Sequence, residues 1–219
     1  MSQTVYVQLL DLTCGVFLLT GVLTLWRREL AVIISLFGVQ GLALAALVAV
    51  LGVHRGEVEL LALAAGLGAF RAGVLPWLMR RALLASGEAR ETQPLVNVTA
   101  SLLAAAAMVL LSWVVCRPLV ALAPSPATQT IPVGMSVVLI GLFTLTTRRR
   151  ALSQVVGFLL VDNGITAIAF LATAGVPLTV ELGVSLDVLL AVLVLLVLTN
   201  RIRAAFGATD LDELRELHD

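Results

Sequence analysis

The chain has 219 residues, of which 60% are hydrophobic and 13% charged, and its formal net charge is zero. A soluble domain carries about a quarter charged residues around one apolar core, so that class is excluded. The apolar residues come in continuous Leu-, Ala- and Val-rich runs of about twenty, the length of a helix that crosses a bilayer. The alternating segments of about ten residues that build a membrane β-barrel are absent. The chain is therefore expected to be all-α: a polytopic membrane protein of about seven transmembrane helices, with the lipid bilayer as its solvent.

The expected spans, in chain order, are 5–26, 30–53, 59–79, 96–116, 131–147, 151–174 and 178–200. The first follows an N-terminal stretch without the basic region of a signal peptide and is read as a true span. Between the spans lie polar or turn segments, the one near Ser86 to Pro94 being the best candidate for a flexible loop. All basic residues are arginine. Assigning alternate connections to opposite sides puts Arg27, Arg28, Arg80, Arg81, Arg90, Arg148, Arg149, Arg150, Arg201, Arg203 and Arg215 together, against Arg55 and Arg117 on the other side. The positive-inside rule then predicts a multi-pass protein of the cytoplasmic (inner) membrane, with the N-terminus outside and the C-terminus in the cytoplasm.

An internal repeat runs through these spans. Arg27, Arg28, Glu29 and Leu30 precede AVIISLFGVQGLALA, and Arg149, Arg150, Ala151 and Leu152 precede SQVVGFLLVDNGITA. Arg28 to Gln40 and Arg150 to Asp162 are the same distance, and Val58, Glu59 and Leu60 match Val180, Glu181 and Leu182. The expected organisation is two parallel three-helix repeats joined by one helix: residues 1–81, a loop and linking helix over 82–130, residues 131–204, and a cytoplasmic tail over 205–219. In that tail, Leu211, Leu214 and Leu217 form one apolar edge suited to docking on a partner.

Ionisable side chains inside a span cost at least about 2.5–3.5 kcal/mol on insertion scales, so each is a candidate for function. Asp162 lies roughly 18 Å along its helix from Arg150, at 1.5 Å per residue, near the middle of the expected span. Asp187 and Arg71 are also placed well inside theirs. Two acids and one base on three helices are the ingredients of a proton pathway; the alternative is a static ion pair between Arg71 and one aspartate that locks helices together. Arginine cannot release its proton, so Arg71 can only tune or hold a carboxylate. Glu59 and Glu181 begin the third and seventh spans, where a carboxylate suits the positive end of the helix dipole; they are pathway or helix-start residues. Gln40 stands at the Asp162 position of the first repeat and can bond a water or a neighbouring helix. Asn163 adds an amide next to Asp162, and Gly164 allows close helix packing. Pro76 frees a backbone carbonyl near Ala72, one turn back, beside Arg71. Cys14 and Cys116 read as small buried hydrophobes, and His54 and His218 as lone side chains without ligand roles. No metal-ligand spacing, nucleotide loop or nucleophile constellation occurs. The chain is expected to hold no cofactor or metal, to bind no nucleic acid and to be non-catalytic by itself.

The stretch Gly157 to Gly164, then Val180 to Gly183 with Asp187, and the tail Asp210 to Leu214 resemble the hydrogenase-4 component E family. Arg71 and Pro76 fit that family's basic residue five positions before a proline. The resemblance implies a membrane subunit of group 4 hydrogenase or formate hydrogenlyase-like complexes, with a second half similar to the K-type subunit of complex I and the C subunit of Mrp-type antiporters. It implies antiporter-like membrane subunits and a hydrogenase-like module with its membrane anchor as partners. It also implies that Asp162 and Asp187 stand where K-type subunits carry proton-bearing glutamates. Arg71 replaces the family's usual lysine, and only lysine of the two can lose its proton. The alternatives are a stand-alone small-solute carrier with the same 3+1+3 plan, or a structural spacer subunit.

Overall fold

A computed structural model describes residues 1–86 and 96–173. The expected seventh span, with Glu181 and Asp187, and the C-terminal tail lie outside the described residues. Among the described residues every regular element is helical, and six helices are long and apolar enough to cross a membrane. The all-α polytopic architecture is thus the observed one. Helix is the outcome these runs require, because in hydrocarbon each backbone N–H and C=O must be satisfied within its own segment.

Helices α1 (Gln3–Trp26) and α2 (Leu30–Arg55) form the first hairpin. Gly56, at φ 71°, ends α2 with the left-handed residue that glycine adopts without a Cβ penalty. At that same end the rings of Tyr6 and His54 stack, with centroids 3.8 Å apart, fastening the start of α1 to the end of α2. The third rod begins as α3 (Val58–Leu67), widens into a π-helical stretch over Gly68–Val74, and resumes as α4 (Leu75–Ser86). Pro76 lacks the N–H that would reach Ala72 O in an α-helix or Arg71 O in a π-helix. The expected disturbance ahead of the proline therefore takes the form of a π stretch with Arg71 inside it.

Helix α5 (Val98–Leu122) is capped by Asn97, whose side chain accepts from the Ala100 N–H at 2.7 Å. It runs past Arg117 and keeps Pro118 inside it, so it extends six residues beyond the expected span. The apolar stretch after Pro118 continues the helical pattern, and only one backbone bond is lost to the proline. A short turn of helix, α6 (Pro126–Gln129), capped by Ser125, leads into α7 (Ile131–Thr147) and then α8 (Ala151–Thr173).

Two features set the packing. Helices α7 and α8 are antiparallel and pressed together along facing glycines. A methyl group on Gly164 would lie 2.8 Å from Gly134 O, and one on Gly141 would lie 2.8 Å from Gly157 O. Small residues let membrane helices approach this closely, which is how association is driven where lipid is as apolar as leucine. Helix α2 is the hub, touching α1, α3, the π stretch, α4 and α8. Helix α5 is peripheral: it buries only Ser101, Ala105, Ser112 and Cys116, and turns large apolar side chains such as Leu103, Leu110 and Val114 outward. Cys14 and Cys116 are buried free thiols in the apolar core, as their setting in the sequence suggests.

The two hairpins are joined at one end by Arg148. Its guanidinium, almost fully buried, donates to the carbonyls of Leu25 (2.9 Å), Thr24 (3.1 Å) and Arg27 (3.3 Å), at the C-terminal end of α1. Those carbonyls have no intrahelical donor and carry the negative end of the helix dipole, so a cation satisfies both needs. By sequence Arg148 is only one of a row of solvent-side arginines. Replacing it with alanine is expected to lower unfolding stability in detergent by about 1.5–3 kcal/mol, the worth of hydrogen bonds to a charged group. Arg149→Ala, measured the same way, should cost less.

Candidate functional site

Among the described residues Arg71 is the largest fully buried side chain, 1% exposed. It sits halfway along the Val58–Leu84 span, and Asp162 is the twelfth of the 23 residues of α8. The two meet at mid-height. Arg71 Nη1 donates to Asp162 Oδ2, forming a buried ion pair, and to Asn163 Oδ1. Its other terminal nitrogen, Nη2, donates to Thr166 Oγ1 at 3.0 Å. Asp162 and Thr166 are four residues apart and so share one face of α8.

The polar contacts continue beyond the ion pair. Asn163 Nδ2 donates to Gln40 Oε1 at 3.0 Å, and Gln40 Nε2 donates to the Phe17 carbonyl at 3.2 Å. A directional chain of donors therefore leads from Arg71 through α8 and α2 to the backbone of α1. The amide orientations support one another: each accepts on its oxygen and donates from its nitrogen, so neither leaves a buried group unmatched along the chain.

Two glycines make room for this arrangement. A methyl group on Gly41 would lie 2.8–2.9 Å from the Arg71 carbonyl carbon, carbonyl oxygen and Cβ, so α2 can meet the widened π backbone only there. One on Gly21 would crowd Gln40 Nε2 at 3.2 Å. The π stretch matters for the same reason. Residues in it are wound more loosely than in an α-helix, which sets the direction in which Arg71 leaves its helix.

Of the residues singled out from the sequence, Arg71, Asp162, Asn163 and Gln40 are brought together. Glu59 is exposed in the first turn of α3, as a helix-start residue would be, and is not part of the cluster. Asp187 and Glu181 lie outside the described residues. Thr166 was missed, although its spacing of four from Asp162 was a usable signal. The Phe17 carbonyl carried no sequence signal. Among the described residues, no group of three or more His, Cys, Asp or Glu side chains is placed to hold a metal ion.

Among the described residues, six helices long and apolar enough to cross a membrane, with a buried guanidinium–carboxylate pair between them, define an integral membrane protein with a polar site at mid-span. Compared with known proteins, the chain is 49% identical over 220 residues to the uncharacterized protein Rv0085 of Mycobacterium tuberculosis, across the whole of both chains. It belongs to the same family as that protein. It is also 24% identical over 203 residues to hydrogenase-4 component E of Escherichia coli K12, covering 93% of this chain and 94% of that one, and equally to hydrogenase-4 component E of Shigella flexneri. No protein-family model matches the chain, and no solved structure matches it.

Breaking a buried pair from one side strands a charge and costs about 3–5 kcal/mol. Arg71→Met and Asp162→Leu should each destabilise the detergent-solubilised protein on that scale. The double variant should cost clearly less than the sum, because no charge is then left alone. Additive losses in such a mutant cycle would show that the two side chains do not depend on one another.

Proposed function

We propose that this protein is a membrane-arm subunit of a complex I-related, hydrogenase- or formate hydrogenlyase-like respiratory complex, and that its mid-membrane site contributes to a proton (or ion) translocation pathway. The observation that carries this reading is the Arg71–Asp162 pair in the middle of a bundle whose sequence aligns with hydrogenase-4 component E along almost its full length. An ion pair at that depth is the kind of feature membrane proteins keep for ion pathways.

The chemistry divides the roles. Arg71 stays charged and cannot carry a proton; it supplies the counter-charge to the Asp162 carboxylate. Asp162 is the proton-accepting member, retaining 11% side-chain exposure beside the fully enclosed guanidinium. The Thr166 hydroxyl can both accept from Arg71 and donate onward, which suits it to link the carboxylate to water. Gln40 and Asn163 cannot ionise, and they fix the geometry. By its sequence position Asp187 is the second acid of the pathway, and Glu181 stands at its outer mouth; Glu59 remains a helix-start residue. The redox chemistry belongs to partner subunits: antiporter-like membrane subunits and a hydrogenase-like module with its anchor. The protein sits in the cytoplasmic membrane with its N-terminus outside and its arginine-rich end in the cytoplasm. The three-helix units 1–81 and 131–204 flank the linking helix.

Mild-detergent purification of the tagged chain from its native host, with mass spectrometry of the co-purifying proteins, tests the assembly. Recovery with antiporter-like and hydrogenase-like subunits is expected. Recovery as a lone oligomer that transports a solute by itself would replace this reading with that of a small-solute carrier.

A further inference from the structure

A groove of about 400 Å³ lies on the outer face where α2 meets the third rod. The two helices run antiparallel there, so Ser35 faces Arg80 at one end and Leu42 faces Ala72 and Gly73 at the other. The walls run from Ser35 to Leu42 and from Ala72 to Arg80, about 10–12 Å at the helical rise. The apolar part is bounded by Pro76 and by the exposed side chains of Leu42 and Trp77. Gly73 leaves it open, since nothing lies within 4 Å of where its Cβ would be.

The mouth of the groove is cationic. Arg80 is exposed and donates from Nη2 to Ser35 Oγ at 3.0 Å, which aims its guanidinium across the opening. The Arg81 guanidinium lies 5.7 Å from the Trp77 ring centroid, on the next position of the same turn. Neither arginine forms an ion pair among the described residues. Both belong to the end of the bundle that also carries Arg27, Arg28 and Arg148 to Arg150, the first with its guanidinium over the ring of Trp26. Exposed tryptophans beside arginines mark the level of lipid headgroups.

We propose that this groove is a binding site for an anionic phospholipid, with the phosphate held by Arg80 and Arg81 and an acyl chain laid along Gly73, Pro76 and Leu42. Charge complementarity supports the headgroup: a guanidinium meets a phosphate with two parallel hydrogen bonds, and basic pockets between membrane helices bind anionic headgroups. Length supports the chain. The groove stops near mid-span, the depth one leaflet reaches in a hydrocarbon core of about 30 Å. A partner helix, about 10–12 Å across, would need a seam running the full height of the bundle. The site is separate from the ion pair but shares a wall with it, because Ala72 and Gly73 follow Arg71 directly.

The test uses the full chain in Trp26→Phe/Trp113→Phe form, which leaves Trp77 as the sole tryptophan. It is reconstituted into phosphatidylcholine vesicles containing increasing amounts of brominated phosphatidylglycerol, and Trp77 quenching gives the relative affinity for the two lipids. At about 1 kcal/mol per arginine near the surface, phosphatidylglycerol should be preferred by about five- to thirtyfold. Arg80→Gln/Arg81→Gln should bring the ratio close to one, whereas Arg80→Lys/Arg81→Lys should retain most of it. Gly73→Leu, which fills the groove and keeps both charges, should weaken quenching by both lipids. Equal affinity for the two lipids, or a preference that survives the glutamine pair, would overturn the proposal. So would a Trp77 that neither lipid quenches, which would mean that protein covers the groove.

Discussion

A guanidinium cannot lose its charge, so once Arg71 is placed at mid-span the rest of the structure has to accommodate it. Its charge needs a counter-charge, and its donors need acceptors that lipid cannot supply. Asp162 supplies the counter-charge and, with Asn163 and Thr166 on α8, takes the bonds of both terminal nitrogens, which fixes the third rod against α8 and sets the height at which they meet. Gln40 and the Phe17 carbonyl extend the same demand to α2 and α1. Helices that would otherwise slide along one another in an apolar solvent are given a register. Gly41, Gly21 and the π stretch then follow as steric consequences, because the backbones must come close enough for these side chains to reach.

This dependence separates what the sequence makes legible from what it hides. The spans are legible because apolar runs of bilayer length admit only helix, and the buried charges are legible because each is so costly in lipid. Arg71 and Asp162 stand out by that cost alone, Gln40 by its place in the repeat and Asn163 by its place beside Asp162. Their mutual arrangement could not. Equivalence of the two repeats suggests Gln40 as the counterpart of Asp162, yet Gln40 bonds the next residue, Asn163, because side-chain direction depends on how α2 and α8 are rotated against one another. Arg148 shows the same limit. Its row of arginines reads as a solvated end, and only the packing of α7 on α1 reveals that one of the row is buried as a cap. Pro76 signals a disturbed backbone, but a missing N–H is compatible with a kink or a π stretch alike, and the sequence does not choose between them.

The two ends of the bundle differ in kind, and that asymmetry fits a subunit embedded among others. One end is dense in arginine and ties its hairpins together by a buried cation; the other is fastened by an aromatic stack and apolar contacts. Helix α5 presents most of its surface outward, a broad apolar face at the edge of the bundle. The polar site, by contrast, is enclosed on all the sides formed by α1, α2, α8 and the third rod. The hydrogen bonds of Asn163 and Gln40 across α8, α2 and α1 resist rearrangement, which suits the proposed proton site: amides that keep their geometry while one carboxylate changes charge.

Proton translocation by the assembled native complex, compared between the parent and Asp162→Asn, decides between a proton site and a structural lock. Asparagine keeps an acceptor oxygen for Arg71 and nearly the same shape, and removes only the capacity to ionise. With subunit content equal to the parent's, a proton site at Asp162 means that redox turnover continues while the protons moved per electron pair fall. An unchanged proton yield in that variant would contradict it, and would leave Arg71 and Asp162 as a structural lock between helices.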